Sequence, residues 1–461
     1  MTKVSNVSRA SFRDPAGFIF TDNGTVKRAV TQHGKKDYDF FISSGLYRGL
    51  LERGWIVSHT EDTESVPEGL FKILTPQKID TWTFPYEWSF SQLKDAAILT
   101  LNIQLLALEF GMCLKDATPF NIQFYEGRPL FIDTLSFEMF QERPWFGYKQ
   151  FCEMFLAPLV LMANKREDFN RLLAVDLSGI NLSFASKLLP RRTWFSFSYL
   201  THIHLHAASQ AHFEDSKPQA QKPKSSLKFY KINVVSFVDN LLSCIHKIKI
   251  KRKKTAFSDY YADCGHYGPE SERFKMDTVR RWAQAAKWQR VMDLGGNTGK
   301  YSRVLNELGI FCVCADYDPY CVDENYLLSK KEQNKKMLPI LLDISNPPSD
   351  LGWANEERPA LFKRVAPDAV LSLALVHHLR ISAGIPLELI ARFFARVAPS
   401  LIIEFVPKED VMVQKLLRHR DDIFFDYDQT GFERVFADLY SFVETVPISG
   451  TKRTLYLMKR K

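Results

Sequence analysis

Val291-Met-Asp-Leu-Gly-Gly-Asn-Thr-Gly-Lys-Tyr-Ser302 is the strongest structural signal in this chain. A short apolar run ending in glycines, with helix-forming residues after it, predicts a buried strand, a tight turn and a helix. Glycine lets the backbone take positive φ and approach a ligand closely, and the first turn of the next helix leaves amides free beside it. A glycine-rich turn alone is shared by many nucleotide-binding folds.

The same rhythm repeats along the C-terminal half. Phe311-Cys-Val-Cys-Ala-Asp316, Ala369-Val-Leu-Ser-Leu-Ala374 and Leu401-Ile-Ile-Glu-Phe405 read as buried parallel strands, separated by helical stretches such as 301–308 and 387–397. This alternation predicts a doubly wound α/β sheet with ligands at the carboxyl ends of its strands. Asp316 falls 23 residues after Asp293, where a carboxylate can accept both ribose hydroxyls, a spacing that a dinucleotide enzyme shares. A bland reading gives Asp316 only a loop to cap and Asn297 only a turn to hold.

The turn Gly295-Gly-Asn-Thr-Gly299 resembles that of class I S-adenosylmethionine-dependent methyltransferases and departs from Gly-x-Gly-x-x-Gly. The resemblance implies a Rossmann-like domain binding S-adenosylmethionine. Asp293 is then near the methionine moiety, Gly295, Gly296, Asn297 and Gly299 form the turn, Asp316 holds the ribose, and Asp343, ending a third apolar strand, is near the adenine amine. His377 and His378 follow the fourth strand, facing the transferring methyl, and either is a base candidate because imidazole titrates near neutrality. The alternative is that one lines the pocket and the other caps a helix. Glu404, ending the fifth strand, is a further base candidate at the pocket mouth, or else a carboxylate that orders a loop. Val397-Ala-Pro-Ser400 stands where many relatives have Lys-Pro-Gly-Gly, and no Asn-Pro-Pro-Tyr follows the fourth strand; Asn346-Pro-Pro348 reads as a loop.

Upstream, Asp116 and Asn121 in Leu114-Lys-Asp-Ala-Thr-Pro-Phe-Asn121, with Asp133 twelve residues on, resemble the catalytic loop and metal-binding aspartate of kinase-like phosphotransferases. That resemblance implies Asp116 on an acceptor hydroxyl, Asn121 and Asp133 on magnesium, and ATP as donor. The neighbours depart from it: Leu114-Lys115 replaces His-Arg or His-Gly, and Thr134-Leu135 follows Asp133. The hairpin suggested by Asp14 to Arg28 has few glycines, and Lys27 or Lys72 is the candidate phosphate lysine. An α+β domain whose Asp116 and Asn121 merely tie a turn is the plain alternative.

The chain has 461 residues, enough for two domains, and 46% of them are apolar, as in globular proteins. The expected division is an α+β, kinase-like domain over 1–210, a polar and basic linker with a helical segment over 211–255, and the methyltransferase domain over 256–461. The net charge of +8 owes much to the run Lys247 to Lys254, read as a solvated connector; an RNA-binding enzyme using it as a foothold is a third reading. Seven cysteines without C-x-x-C spacing argue for reduced thiols and a cytoplasmic location, and no stretch is long and apolar enough to span a bilayer. Aromatic segments at 137–155 and 194–199 belong either to the core or to a sugar or protein surface, and their exposure discriminates.

Taken whole, Trp88-Ser-Phe-Ser-Gln-Leu-Lys-Asp95, Leu114-Lys-Asp116, Phe131-Ile-Asp-Thr-Leu-Ser-Phe-Glu138 and the C-terminal half resemble a bacterial family that includes NoeA-like methyltransferases. This implies a carbohydrate or surface glycan as acceptor. A bifunctional kinase and methyltransferase is the alternative to an acceptor-recognising first domain.

Overall fold

The computed structural model describes residues 6–62, 66–208, 227–251, 268–418 and 421–461. It divides into two compact units, one from Met1–Lys251 with Pro348–Ala360, the other from Arg252–Pro347 with Leu361–Lys461. The polar stretch 214–226 and the end of the basic run, 252–254, lie outside the described residues. Among the described residues, no helix is long and apolar enough to cross a membrane.

In the first unit, β1 (Gly17–Asp22), β2 (Thr25–Thr31), β3 (His59–Glu61) and β4 (Leu70–Pro76) form an antiparallel sheet in the order β1-β2-β4-β3. Asn23 and Gly24 join β1 to β2 with φ of 47° and 79°, the two left-handed positions of a type I′ hairpin turn. A helix then spans Phe90–Glu109, its N-terminus closed by a capping box between Ser89 and Gln92. Two small antiparallel pairs follow: β5 (Met112–Leu114) with β8 (Phe137–Met139), and β6 (Ile122–Tyr125) with β7 (Arg128–Phe131). The helix Leu227–Lys247 belongs to the same unit.

Pro348–Ala360 counts with this unit although its neighbours in sequence do not. Its Glu357, 4% exposed, accepts from the Arg13 guanidinium at 2.6 Å, and the Arg358 guanidinium lies 4.7 Å from the Phe120 ring centre.

The second unit is a seven-stranded sheet. β9 (Arg290–Leu294), β10 (Phe311–Asp316), β11 (Met337–Leu341), β12 (Ala369–Ser372) and β13 (Ser400–Phe405) are parallel, while β14 (Tyr440–Pro447) and β15 (Thr454–Arg460) complete it antiparallel. The order is β11-β10-β9-β12-β13-β15-β14. The chain moves outward from β9 on one side and restarts at β12 on the other, so a topological switch point lies between them. Pro339 is tolerated because β11 is an edge strand. The third strand ends at Leu341, so Asp343 sits two residues beyond it rather than ending it.

Helices cover the sheet through apolar stripes. Leu387–Val397 buries Leu387, Ile390, Ala391, Phe394 and Ala395, the helical period that the sequence displays. Pro269–Ala286 starts with proline and has Glu270 and Glu272 in its first turn, where the helix dipole favours negative charge. Its Val279 and Trp282 join a core containing Leu305, Cys312, Leu371 and Ile402.

Candidate cofactor cleft

Behind β9 the backbone turns through three left-handed positions, Gly295, Asn297 and Gly299, with φ of 76°, 52° and 78°. The amides of Gly295 and Gly296 both donate to the Ala315 carbonyl, at 2.9 and 3.1 Å, tying the turn to the end of β10. At Gly296 the restriction is steric: a Cβ would lie 2.4 Å from Cys314 Sγ and 2.8 Å from Asp293 Oδ2.

The carboxylates are held by the chain around them. Asp316 Oδ2 accepts the Asn297 amide at 2.8 Å and its Oδ1 accepts the Asp318 amide at 2.9 Å. Burial nevertheless pushes its pKa up to about 6. Asp293 Oδ2 accepts from Ser302 Oγ at 2.7 Å, and burial raises this carboxyl to about 7. Asp343 closes a local turn, its Oδ1 accepting the Ser345 amide at 2.9 Å and hydroxyl at 2.6 Å.

A cavity of 490 Å³ opens at the switch point, and Asp293, Gly295, Gly296, Asn297, Asp316, Asp343 and His378 all line it. Gly299 shapes the turn without lining the cavity. Past β12 the wall is irregular: Ala374 holds φ at 49°, and His378–Ser382 forms a π-helical turn, a local rearrangement frequent at functional sites. His378 faces the cavity with its pKa pushed down to about 4 by burial and by Arg453. His377 is buried behind it, ring centres 4.2 Å apart, and its Nδ1 has no hydrogen-bond partner.

Glu404 is fully buried and pairs with Lys275 and Arg453, the latter at 3.2 Å, instead of reaching the cavity mouth. Arg453 also grips Asp410, with contacts of 2.7 and 3.1 Å. Asp410 caps the helix Val411–Leu417, and Leu416 of that helix lines the cavity. Lys275 itself lines the cavity, its ammonium 4.7 Å from the Tyr301 ring centre. Sequence reasoning missed Lys275 and Arg453. A signal for Lys275 existed, since it shares a helical face with Val279 and Trp282, where a cation needs a partner.

In the first unit Asp116 and Asn121 do meet: Asn121 Nδ2 donates to Asp116 Oδ2 at 3.3 Å and to Ser136 Oγ at 2.9 Å. Gln150 donates to Asp116 Oδ1 at 2.6 Å. Asp133 is held differently, by the Arg28 guanidinium at 2.6 Å and the Leu135 amide at 2.9 Å. A fixed guanidinium on the carboxylate does not suit a magnesium ligand, which has to meet the cation with its own charge. Lys72 is paired with Glu61, and Lys27 with Asp22 and Asp62. No group of three or more His, Cys, Asp or Glu side chains arranged to hold a metal occurs among the described residues.

No family model matches the chain. It is 34% identical over 463 residues to nodulation protein NoeA of Rhizobium meliloti (strain 1021), a match covering 98% of this chain and 95% of that protein. Among solved structures it is similar to magnesium protoporphyrin IX methyltransferase ChlM from Synechocystis PCC 6803 with bound SAH, at 16% identity over 41% of this chain and 84% of that one, TM-score 0.31. It is also similar to N-methyltransferase NodS from Bradyrhizobium japonicum WM9, at 10% identity over 42% and 97%, TM-score 0.31. A third similarity, to the bifunctional kinase-methyltransferase WbdD, has 16% identity over 44% and 42%, TM-score 0.31.

Proposed function

The chain belongs to the family of nodulation protein NoeA, and from that premise we propose that its second unit is an S-adenosylmethionine-dependent methyltransferase and its first unit recognises the acceptor. One observation carries this: a glycine turn that tolerates no Cβ at Gly296 and three carboxylates, Asp293, Asp316 and Asp343, line one 490 Å³ cavity at the switch point of the sheet. These carboxylate acceptors suit the cofactor's ribose hydroxyls, adenine amine and ammonium.

When bound, the cofactor supplies a methyl group activated on a sulfonium. In this reading Asp316, fixed by two backbone amides, accepts the ribose hydroxyls, Asp343 is beside the adenine amine, and Asp293 is at the methionine end. The chain's main contribution is alignment of the acceptor with the methyl, which can supply much of the rate. His378 is neutral across physiological pH, so it accepts a hydrogen bond from an acceptor hydroxyl or amine without first losing a proton. Glu404 acts through Lys275 and the cap of the helix Val411–Leu417, as a positioning residue.

The acceptor in this reading is a glycan, a choice resting on kinship with a nodulation protein rather than on any group in the cavity. Methyl-labelled cofactor incubated with the protein and fractionated cell extract tests it, with label expected in glycan. Label confined to RNA or protein overturns the acceptor class, and label in no fraction overturns the enzyme.

Phosphotransfer by the first unit is the competing reading, favoured by the contact between Asp116 and Asn121. The Arg28 guanidinium on Asp133 weighs against it. ATP with magnesium is therefore expected to leave the melting temperature unchanged; a rise that Asp133→Ala removes would restore the bifunctional reading.

A further inference from the structure

Residues 191–205 place large apolar side chains in solvent. Phe195 is 91% exposed, Phe197 73%, Leu205 53% and Trp194 48%, and Phe184 on the neighbouring helix Leu182–Leu188 is 49% exposed. Core packing, the ordinary role of aromatic residues, is therefore not what these side chains do.

The segments bearing them are pinned together by one buried imidazole. His204 pairs through Nδ1 with Ser186 Oγ at 2.7 Å and through Nε2 with Thr193 Oγ1 at 3.0 Å, and the Trp194 ring stacks on it at 4.2 Å. Thr193 is 3% exposed and His204 1%. Phe184, Trp194, Phe195 and Leu205 thus flank a fixed footing, and presenting them to solvent has a standing hydrophobic cost.

The segment bearing the patch carries positive charge. Lys187, Arg191 and Arg192 are exposed, and no Asp or Glu occurs from residue 177 to 208. Arg192 also donates to Asn164 Oδ1 at 3.1 Å. Aromatic side chains beside arginine and lysine are the composition of a surface that lies in a lipid headgroup layer, where rings enter the acyl boundary and cations meet anionic headgroups. Three exposed cations within this stretch favour an anionic surface over a neutral glycan.

We propose that this face of the first unit seats the protein peripherally on an anionic lipid bilayer. The inference does not depend on the methyl-transfer reading, since none of these residues lines the cofactor cleft.

Co-sedimentation of the full chain with vesicles of phosphatidylcholine containing about one third phosphatidylglycerol, against pure phosphatidylcholine, tests it. Wild type is expected to pellet with the anionic vesicles only, and less so as salt rises. The pair Phe195→Ser, Phe197→Ser lowers partitioning by roughly tenfold or more, while Phe195→Trp retains it. The pair Arg191→Gln, Arg192→Gln removes most of the salt dependence. Unchanged melting temperatures show that the variants fold. Wild type left in the supernatant, equal pelleting with both vesicles, or wild-type pelleting of the serine pair overturns the proposal; self-association through the patch in sedimentation velocity, without vesicle binding, does so in favour of a second copy.

Discussion

Asp293 is a carboxyl that the fold holds protonated more readily than water would. Burial raises it to about 7, and the usual Asp value is about 3.9. The folded protein thus binds a proton there that the unfolded chain has released between those two values, so this group's contribution to stability falls as pH rises through that window and levels off above about 7. Asp293→Asn mimics the protonated form. It is expected to gain stability over wild type by up to about 1.4 kcal/mol per pH unit across the window, read by denaturant titration at several pH values, while binding less cofactor. A constant difference would place the titration elsewhere. At Gly296 the expected outcome is simpler. Gly296→Ala puts a methyl into Cys314 and Asp293 and should cost about 1–3 kcal/mol.

At the scale of elements, the buried parallel strands β10 and β13 and the helix Leu387–Val397 were readable because continuous apolar runs and a 3.6-residue stripe have few other interpretations. The third strand was read too far along the chain. Leu342 extends the apolar run one residue past the last ladder residue, Leu341, and the turn that Asp343 closes on Ser345 follows it, so the strand ends before the aspartate. Glu404 was legible as a strand-end carboxylate but not as a buried one, because its partners are 129 and 49 residues away. Glu404→Gln tests which it is. As the counter-charge of Lys275 and Arg453, its loss should cost roughly 3–5 kcal/mol of stability and weaken turnover at every pH alike. Loss of an ionisation from the pH–rate profile with stability intact would identify it as a base.

Over the whole molecule, the sequence separates two halves by composition and motif, yet it does not reveal that Pro348–Ala360 counts with the first unit. Within that unit Glu357 meets Arg13 and Arg358 covers Phe120, contacts no local pattern announces. The fate of Asp133 was equally hidden, since Arg28 reaches it from β2, 105 residues earlier in the chain. The family resemblance, by contrast, draws on Trp88 to Asp95, Leu114 to Asp116 and Phe131 to Glu138 together with the C-terminal half, and the candidate cleft is legible in one contiguous stretch and the carboxylates after it. On the proposed function, this cleft takes S-adenosylmethionine and not a dinucleotide. Titration calorimetry on the full chain decides it: S-adenosylmethionine should give saturable heat that Asp316→Ala abolishes, and NAD should give none. Heat with NAD alone, or wild-type heat from Asp316→Ala, would contradict it.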